Sequence, residues 1–501
     1  MSTQEGTLPR DDGSARRLDA ILIALAAGTL LGLIWIAQGN MSRTPDNKPF
    51  AQPMHSPNDR SRFVTIRALV DRGSYAIGAI NEDGSYTDGS LVKEPGWDTI
   101  DKVRRPDNGL LYSSKPPLMP TVLAGEYWLL SKIPTFSYSR AEGDEGWKET
   151  GRLTFDRHPL ALVRIIVATA NWAPFVIFLC LFARLVSGLT ADPWVRAFTI
   201  AAAGFGTYLS GFSVTLNNHT VAAFAMFFSL YPALRIWCDG RQKWWLFAVS
   251  GFFAALAAVL ELPATAFLAA VAAGLVFKSG ARAVALFLPF ALIPAAGHFY
   301  TTYLATGGLT PAYEKKEWYD FPKSYWKFDE SRGRLVGGSR DEKTGELIVD
   351  PNGIDNQYEP AGVYVFHMLL GHHGVFSLTP IFVFSAIGVA RVLRDRRHQL
   401  WAAALLAAGL TVVLLVFYTF LAGTRNYGGM TNGLRWLFWL IPLWLLFLPD
   451  GLAGRSSSRL WRAIALAALV ISAASSFYAS RNPWTRPWLQ ELLNQTGWIA
   501  Y

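Results

Sequence analysis

Runs of about 18 or more nearly uncharged residues recur along this chain, and no other feature constrains its fold as much. They lie near residues 19–38, 160–187, 194–212, 218–236, 244–262, 264–278, 282–304, 376–393, 400–422, 433–449 and 460–479. About 20 apolar residues in a helix match the roughly 30 Å hydrocarbon core of a bilayer. A helix also satisfies its own backbone where no water can. The apolar stretch from Trp244 to Phe277 is too long for one crossing, and Glu261-Leu262-Pro263 divides it. The expected fold class is an all-α polytopic membrane protein of about eleven transmembrane helices, within a range of ten to thirteen. Interfacial helices and two large outer-face loops complete it.

Charge fixes the orientation. The net charge of +9 invites a nucleic-acid reading, but the basic residues sit mainly in short loops between apolar runs. That is the positive-inside pattern, and it excludes nucleic acid as the expected partner. With Arg10, Arg16 and Arg17 in the cytoplasm, the parity depends on the interrupted apolar piece 116–133, which contains Glu126 and Lys132. If that piece lies in the interface, the inner loops receive Arg184 and Arg196; Arg235, Arg241 and Lys243; Lys278 and Arg282; Arg391, Arg394, Arg396 and Arg397; and Arg455, Arg459 and Arg462. If it spans, every cluster flips outward against the rule. The expected organisation is a cytoplasmic N-terminus (1–18), a first transmembrane helix (19–38), an outer-face loop (39–159), a transmembrane core (160–304), a second outer-face loop (305–375), further spans (376–479) and an outer-face C-terminus (480–501). The first apolar run contains Trp35 and ends without a small-residue cleavage site, so it is read as an uncleaved span rather than a signal peptide. The two cysteines, Cys180 and Cys238, provide neither a disulfide framework nor a zinc spacing.

Chemistry is sought where a compact polar segment hangs on this hydrophobic scaffold. Residues 59–72 read as a short amphipathic helix at the membrane surface, with Phe63, Ile66, Leu69 and Val70 on one face and Arg60, Arg67 and Asp71 on the other. At 100° per residue, Asp59 and Arg62 fall on the apolar face one turn apart. Ser56-Pro57-Asn58-Asp59 also fits a capping box, so Asp59 is either a helix cap, a catalytic carboxylate or both. Lys115-Pro116-Pro117-Leu118 reads either as a snorkelling lysine before a Pro-initiated interfacial helix or as a cation presented to a lipid phosphate. Residues 75–108 read as a loop or small hairpin, 134–158 as a polar excursion, and the aromatic, charged loop 305–360 as an ordered lid. No internal repeat at 20–50 residues and no inverted pair of broken spans is evident.

Asp59-Arg60-Ser61-Arg62-Phe63-Val64-Thr65-Ile66 soon after the first span, followed by Tyr112-Ser113-Ser114-Lys115-Pro116 before an interfacial helix, resembles the GT-C membrane glycosyltransferases. The nearest group is the protein mannosyltransferases and the bacterial aminoarabinose lipid A transferases, whose patterns are Asp-x-x-Arg-Tyr-x-x-Ile and Phe-x-Lys-Pro. Phe155-Asp156-Arg157-His158-Pro159-Leu160-Ala161-Leu162-Val163-Arg164 is similar to the approach to that family's second span. The resemblance carries specificity over about the first two-fifths of the chain, and over the rest it is one of topology. Two departures stand out: Arg60 replaces a second acid, and Glu261-Leu262-Pro263 stands where the aminoarabinose enzymes carry a lysine-glycine pair.

The resemblance implies a GT-C-like fold and an inverting transfer of sugar from a polyprenyl-phosphate donor to a lipid, glycan or protein acceptor on the outer face. Asp59 would be the general base, with Arg62, Lys115, Arg435 and Tyr112 on the donor phosphate. His372 and His373 in Gly371-His372-His373-Gly374, together with Glu261, are further possible substrate contacts. Arg435 closes Tyr427-Gly428-Gly429-Met430-Thr431-Asn432-Gly433-Leu434-Arg435, and both of these motifs resemble patterns in bacterial GT-C-like proteins. No cofactor is expected; a divalent metal on the histidine pair is the alternative, which the absence of a clear third ligand leaves unindicated. Asn218-His219-Thr220 matches a glycan-acceptor sequon and is read as chance in a tight loop. The expected partners are the lipid-linked donor, the acceptor and membrane lipids, and the expected location is a bacterial inner membrane with the site on the outer face. A transporter or flippase, and a non-catalytic lipid-binding relative, are the alternatives.

Overall fold

The computed structural model describes residues 13–499 apart from 45, 140–145, 342–346, 350–355 and 357, so most of the stretch 1–18 expected in the cytoplasm lies outside the described residues. The chain is mostly helical. Its first long helix is α1 (Gly13–Ala37). The stretch 39–159 carries α2 (Pro57–Arg72) and α3 (Leu118–Leu130). Beyond it come α4 (Pro159–Leu189) and α5 (Asn218–Trp237). Among the described residues, these three long helices (α1, α4, α5) and Leu262–Ser279, Ala281–Thr306, Trp401–Leu421 and Arg459–Arg481 are the seven that are long and apolar enough to cross a membrane.

The other apolar runs are divided. Residues 244–262 form a shorter helix, Trp244–Leu260. Residues 194–212 split at Gly206-Thr207 into Pro193–Phe205 and Tyr208–Phe212. Residues 376–393 split before Pro380 into Val375–Leu378 and Ile381–Arg394. Residues 433–449 fall into a 3₁₀ segment, Arg435–Leu440, and the short helices Ile441–Leu445 and Leu448–Leu452. Proline accounts for the last two divisions, because it lacks the donor a continuing helix needs yet fits the first turn of a new one.

The stretch 39–159 is more ordered than a coil. Strands β1 (Ala76–Ala79), β2 (Lys102–Arg104) and β3 (Leu110–Ser113) make an antiparallel sheet in the order β1-β3-β2. The excursion at 134–158 contains a hairpin of β4 (Pro134–Ser139) and β5 (Gly146–Arg152). At 13 residues, α3 is about 20 Å long, too short to cross a hydrocarbon core of about 30 Å. Its Glu126 accepts a hydrogen bond from Thr169 Oγ1 of α4 at 2.8 Å, which sets it against the upper part of that span.

α2 differs from its sequence reading. It was expected to lie amphipathically on the membrane surface, yet Asp59 and all residues from Ser61 to Ala68 are buried. α3 and the sheet pack around it. Arg67, expected on the outward polar face, is buried under Trp97 at 4.6 Å from the ring and is paired with Glu94 (2.6 Å), Asp71 (3.3 Å) and Asp156. Phe155 meets Phe63, Trp97 and Tyr127 edge-on or tilted, and Tyr127 Oη donates to Asp71 Oδ1 at 2.9 Å. Helical periodicity sees only the helix's own residues. Whether its polar face meets water or neighbouring carboxylates depends on chain up to about 90 residues away.

Candidate functional site

α2 starts at the site. Ser56 has the extended backbone of an N-cap, and Pro57 occupies the first turn. Ser56 Oγ accepts from the amides of Asn58 (3.1 Å) and Asp59 (3.3 Å), while Asp59 accepts from the Ser56 amide, completing the capping box. The Asp59 carboxylate is saturated. Oδ1 takes the Ser56 amide (2.7 Å), Ser56 Oγ (2.9 Å) and the Arg60 amide (3.0 Å), and Oδ2 takes the His55 amide (2.8 Å) and Thr215 Oγ1 (2.8 Å). Five donors converge on a group with about four lone-pair positions.

One turn on, Arg62 donates from Nη1 to Asn58 O (2.8 Å) and from Nη2 to Asn218 Oδ1 (2.7 Å). Asn218 in turn donates to Leu260 O (3.1 Å) and to Glu261 Oε1. The same Glu261 oxygen faces His219 Nδ1, and His219 Nε2 lies 3.3 Å from Arg435 Nη1. A continuous polar chain therefore runs Arg62–Asn218–Glu261–His219–Arg435, joining α2, the first turn of α5, the break before Pro263 and the 427–435 loop. Lys115, presented by the turn between β3 and α3, pairs with Asp101 at 3.0 Å.

The cations share one field. Burial pushes the Arg62 guanidinium down to about 10; Asp101 opposes the shift and Arg435 adds to it. Burial likewise pushes the Lys115 ammonium down, Asp101 opposing and Arg62 and Arg435 contributing. Three cations from sequence positions 62, 115 and 435 thus destabilise one another's charge, an arrangement that an incoming anion relieves.

The 427–435 loop is bent for this purpose. Tyr427, Gly428 and Gly429 have φ of +58°, +99° and +82°, a left-handed sequence that glycine adopts without cost. Arg435 Nε donates to Gly428 O at 2.8 Å, and a side chain at 428 would meet that nitrogen at 2.9 Å. Arg435 also stacks on Trp484, 4.9 Å from the ring.

Other expected residues lie apart from this chain. Tyr112 packs in a separate cluster with Val103, Ala312, Trp318 and Tyr319; its hydroxyl accepts from Asn108 Nδ2 (3.0 Å) and Arg105 covers its ring at 5.3 Å. His372 and His373 are buried with their Nδ1 atoms in contact. His373 stacks on Tyr427 (4.5 Å, 9°) and its Nε2 lies 3.2 Å from Thr431 O, so the pair braces the glycine loop. Burial pushes the two imidazoles down to about 2 and about 3, which keeps them neutral. Among the described residues, no group of three or more His, Cys, Asp or Glu is arranged to hold a metal ion.

Asp101, Thr215, Asn218 and His219 were not singled out as site residues from the sequence. Asn218 and His219 were visible only as a chance sequon, and Asp101 as one acid in a polar loop. The second loop and residues 422–426 line an open cavity of about 540 Å³ bordered by Tyr313, Glu314, Lys316, Trp326, Arg334, Thr424 and Asn426. Burial raises the Tyr313 hydroxyl to about 12, with Glu314 and, more weakly, Glu261 adding to the shift.

No protein-family model matches the chain, and no curated protein matches it. Its fold is similar to that of the oligosaccharyltransferase of Archaeoglobus fulgidus. Against the complex with Zn and sulfate the TM-score is 0.44 at 12% identity, covering 93% of this chain and 53% of that one. Against the same organism's AglB with an inhibitory peptide and a dolichol-phosphate the TM-score is 0.47 at 12% identity, covering 94% and 56%. Against the apo form the TM-score is 0.41 at 12% identity, covering 94% and 57%. The chain spans about half the length of these structures.

Proposed function

We propose that this protein is an integral-membrane glycosyltransferase of the GT-C type. It transfers a sugar with inversion from a polyprenyl-phosphate donor to a hydroxyl acceptor on the outer face of a bacterial inner membrane. The observation that carries this reading is the convergence of Arg62, Lys115 and Arg435, from three distant stretches of sequence, into one mutually repelling set. The motifs around Asp59 and Lys115 and the charge-derived orientation support it independently.

In the reaction, the acceptor oxygen attacks the anomeric carbon, the bond from that carbon to the phosphate oxygen breaks, and the lipid phosphate leaves with the electron pair. Charge grows on the phosphate as it leaves, and preorganised guanidinium and ammonium groups stabilise it. Asp59 belongs to this site by fixing the first turn of α2, and hence Arg62. With five donors on its carboxylate it has little capacity left to take a proton, which weighs against its expected role as general base. The residues 39–159 form the catalytic loop, and the cavity beside Tyr313 is the space for the acceptor.

The test is binding of polyprenyl phosphate by the purified protein in nanodiscs, joined to mass spectrometry of lipid-linked sugars and surface glycans in a deletion strain. Saturable binding that is weakened at least tenfold by Arg62→Gln, together with loss of a glycan and accumulation of its lipid-linked sugar, is expected. Absence of binding with an unchanged glycan profile would overturn the reading.

A further inference from the structure

We propose that Glu261, oriented by His219 and Asn218, is the base that takes the acceptor proton; this rests on the transferase reading above. Glu261 sits where the helix Trp244–Leu260 ends, in extended backbone (φ −133°, ψ 105°) ahead of the 3₁₀ turn Leu262–Ala264. The chain break turns its side chain back toward α5, and it is 5% exposed. Oε1 is occupied by Asn218 Nδ2 and His219 Nδ1. Among the described residues none donates a hydrogen bond to Oε2, in contrast to both oxygens of Asp59.

The histidine's proton can be located by elimination. Arg435 Nη1 only donates, so the His219 Nε2 at 3.3 Å from it is the acceptor nitrogen. The proton then sits on Nδ1, which lies 2.5 Å from Glu261 Oε1 but off the line of a hydrogen bond. His219 is a positioning residue: it holds one oxygen and so directs the other. Arg62 grips the same carboxylate through Asn218.

The same polar chain ties the carboxylate to the donor side, because Arg62 and Arg435 at its two ends are the groups a phosphate would engage. The acceptor O–H proton passes to Oε2 as its oxygen bonds to the anomeric carbon, and the sugar–phosphate bond breaks with its electron pair leaving on the lipid phosphate.

The experiment compares wild type, Glu261→Gln, Glu261→Asp and His219→Gln in nanodiscs. It measures transfer from radiolabelled polyprenyl-phosphate sugars into a cell-envelope extract, the Kd for polyprenyl phosphate, and the pH dependence of kcat. Glu261→Gln is expected to lower kcat by at least about 100-fold while Kd stays within threefold. Glu261→Asp should retain measurable turnover with the acidic limb still present, and His219→Gln should shift that limb with little change in Kd. Glu261→Gln transferring within threefold of wild type overturns the proposal, and so does a Glu261→Gln loss that is matched by an equal loss of phosphate binding. If Glu261→Gln does not fold, a Glu261→Asp profile identical to wild type overturns it. A wild type that binds no polyprenyl phosphate and transfers no sugar overturns the transferase reading as well, whereas an active wild type with an active Glu261→Gln overturns this assignment alone.

Discussion

Thr215 Oγ1 donates to Asp59 Oδ2 at 2.8 Å, a bond between residues 156 positions apart that ties the first turn of α2 to the loop ahead of α5. Asp59 is thereby a structural hub, and Asp59→Asn turns donors toward an amide NH₂ on one side. Leaving buried donors without an acceptor costs about 1–3 kcal/mol. Asp59→Asn is expected to lower the thermal midpoint of the solubilised protein, and Ser56→Ala to cost about 1 kcal/mol through loss of the cap. Scanning fluorimetry of both variants checks this; a fully stable Asp59→Asn would return the general-base role to that residue.

Arg67 presents a second stability test. Its side chain is only 4% accessible, and it faces Asp71, Glu94 and Asp156. Arg67→Met removes one guanidinium from three partly exposed carboxylates and is expected to destabilise by about 1–3 kcal/mol. Asp156→Asn, at a side chain 63% accessible, should cost about 1 kcal/mol or less. Chemical unfolding in detergent separates the two.

Alkaline pH should act on phosphate binding through Lys115. Its ammonium is pushed below the ordinary 10.5 by burial, so it loses its proton earlier than a free lysine as pH rises. Affinity for polyprenyl phosphate is therefore expected to decline with rising pH before 10.5 is reached. The folded state binds fewer protons than the unfolded one in that window, so the stability contribution runs the other way: it is present above 10.5 and lost as pH falls through the folded value. Titrating affinity in wild type and Lys115→Met checks the prediction, because the methionine variant should lose this part of the pH dependence.

The hairpin of β4 and β5 should touch the bilayer. Phe136 and Tyr138 alternate onto one face, Tyr138 pairs with Trp147 (5.7 Å, edge-on), and Trp147 is 73% exposed. Exposed Trp128 and Leu129 of α3 belong to the same loop. Amphipathic aromatic rings favour the headgroup level. A spin label at Trp147→Cys, with Cys180 and Cys238 replaced by serine, is expected to be relaxed more by oxygen than by a water-soluble nickel complex; the opposite ratio would contradict the placement.

Much of this was legible in the chain itself. The seven long helices coincide with apolar runs, because spanning a bilayer demands a length and composition that local sequence records. The capping box was readable for the same reason: Ser56, Pro57 and Asp59 act within a single turn. Within the interrupted apolar piece 116–133, the helix α3 is only 13 residues long.

Relations across the chain were not legible. Local sequence placed Arg62, Lys115 and Arg435 as separate cations, and only the tertiary contacts from Arg62 through Asn218 and His219 to Arg435 bring them into one electrostatic field. It also left Asn218 and His219 looking like a chance sequon, whereas tertiary contact makes them the link from Arg62 through Glu261 to Arg435. Membrane insertion and helix capping depend on neighbours within a turn or a span, so composition and spacing determine them. The partners of a buried charge are chosen by whichever elements the fold brings within about 4 Å, and that choice belongs to the tertiary structure.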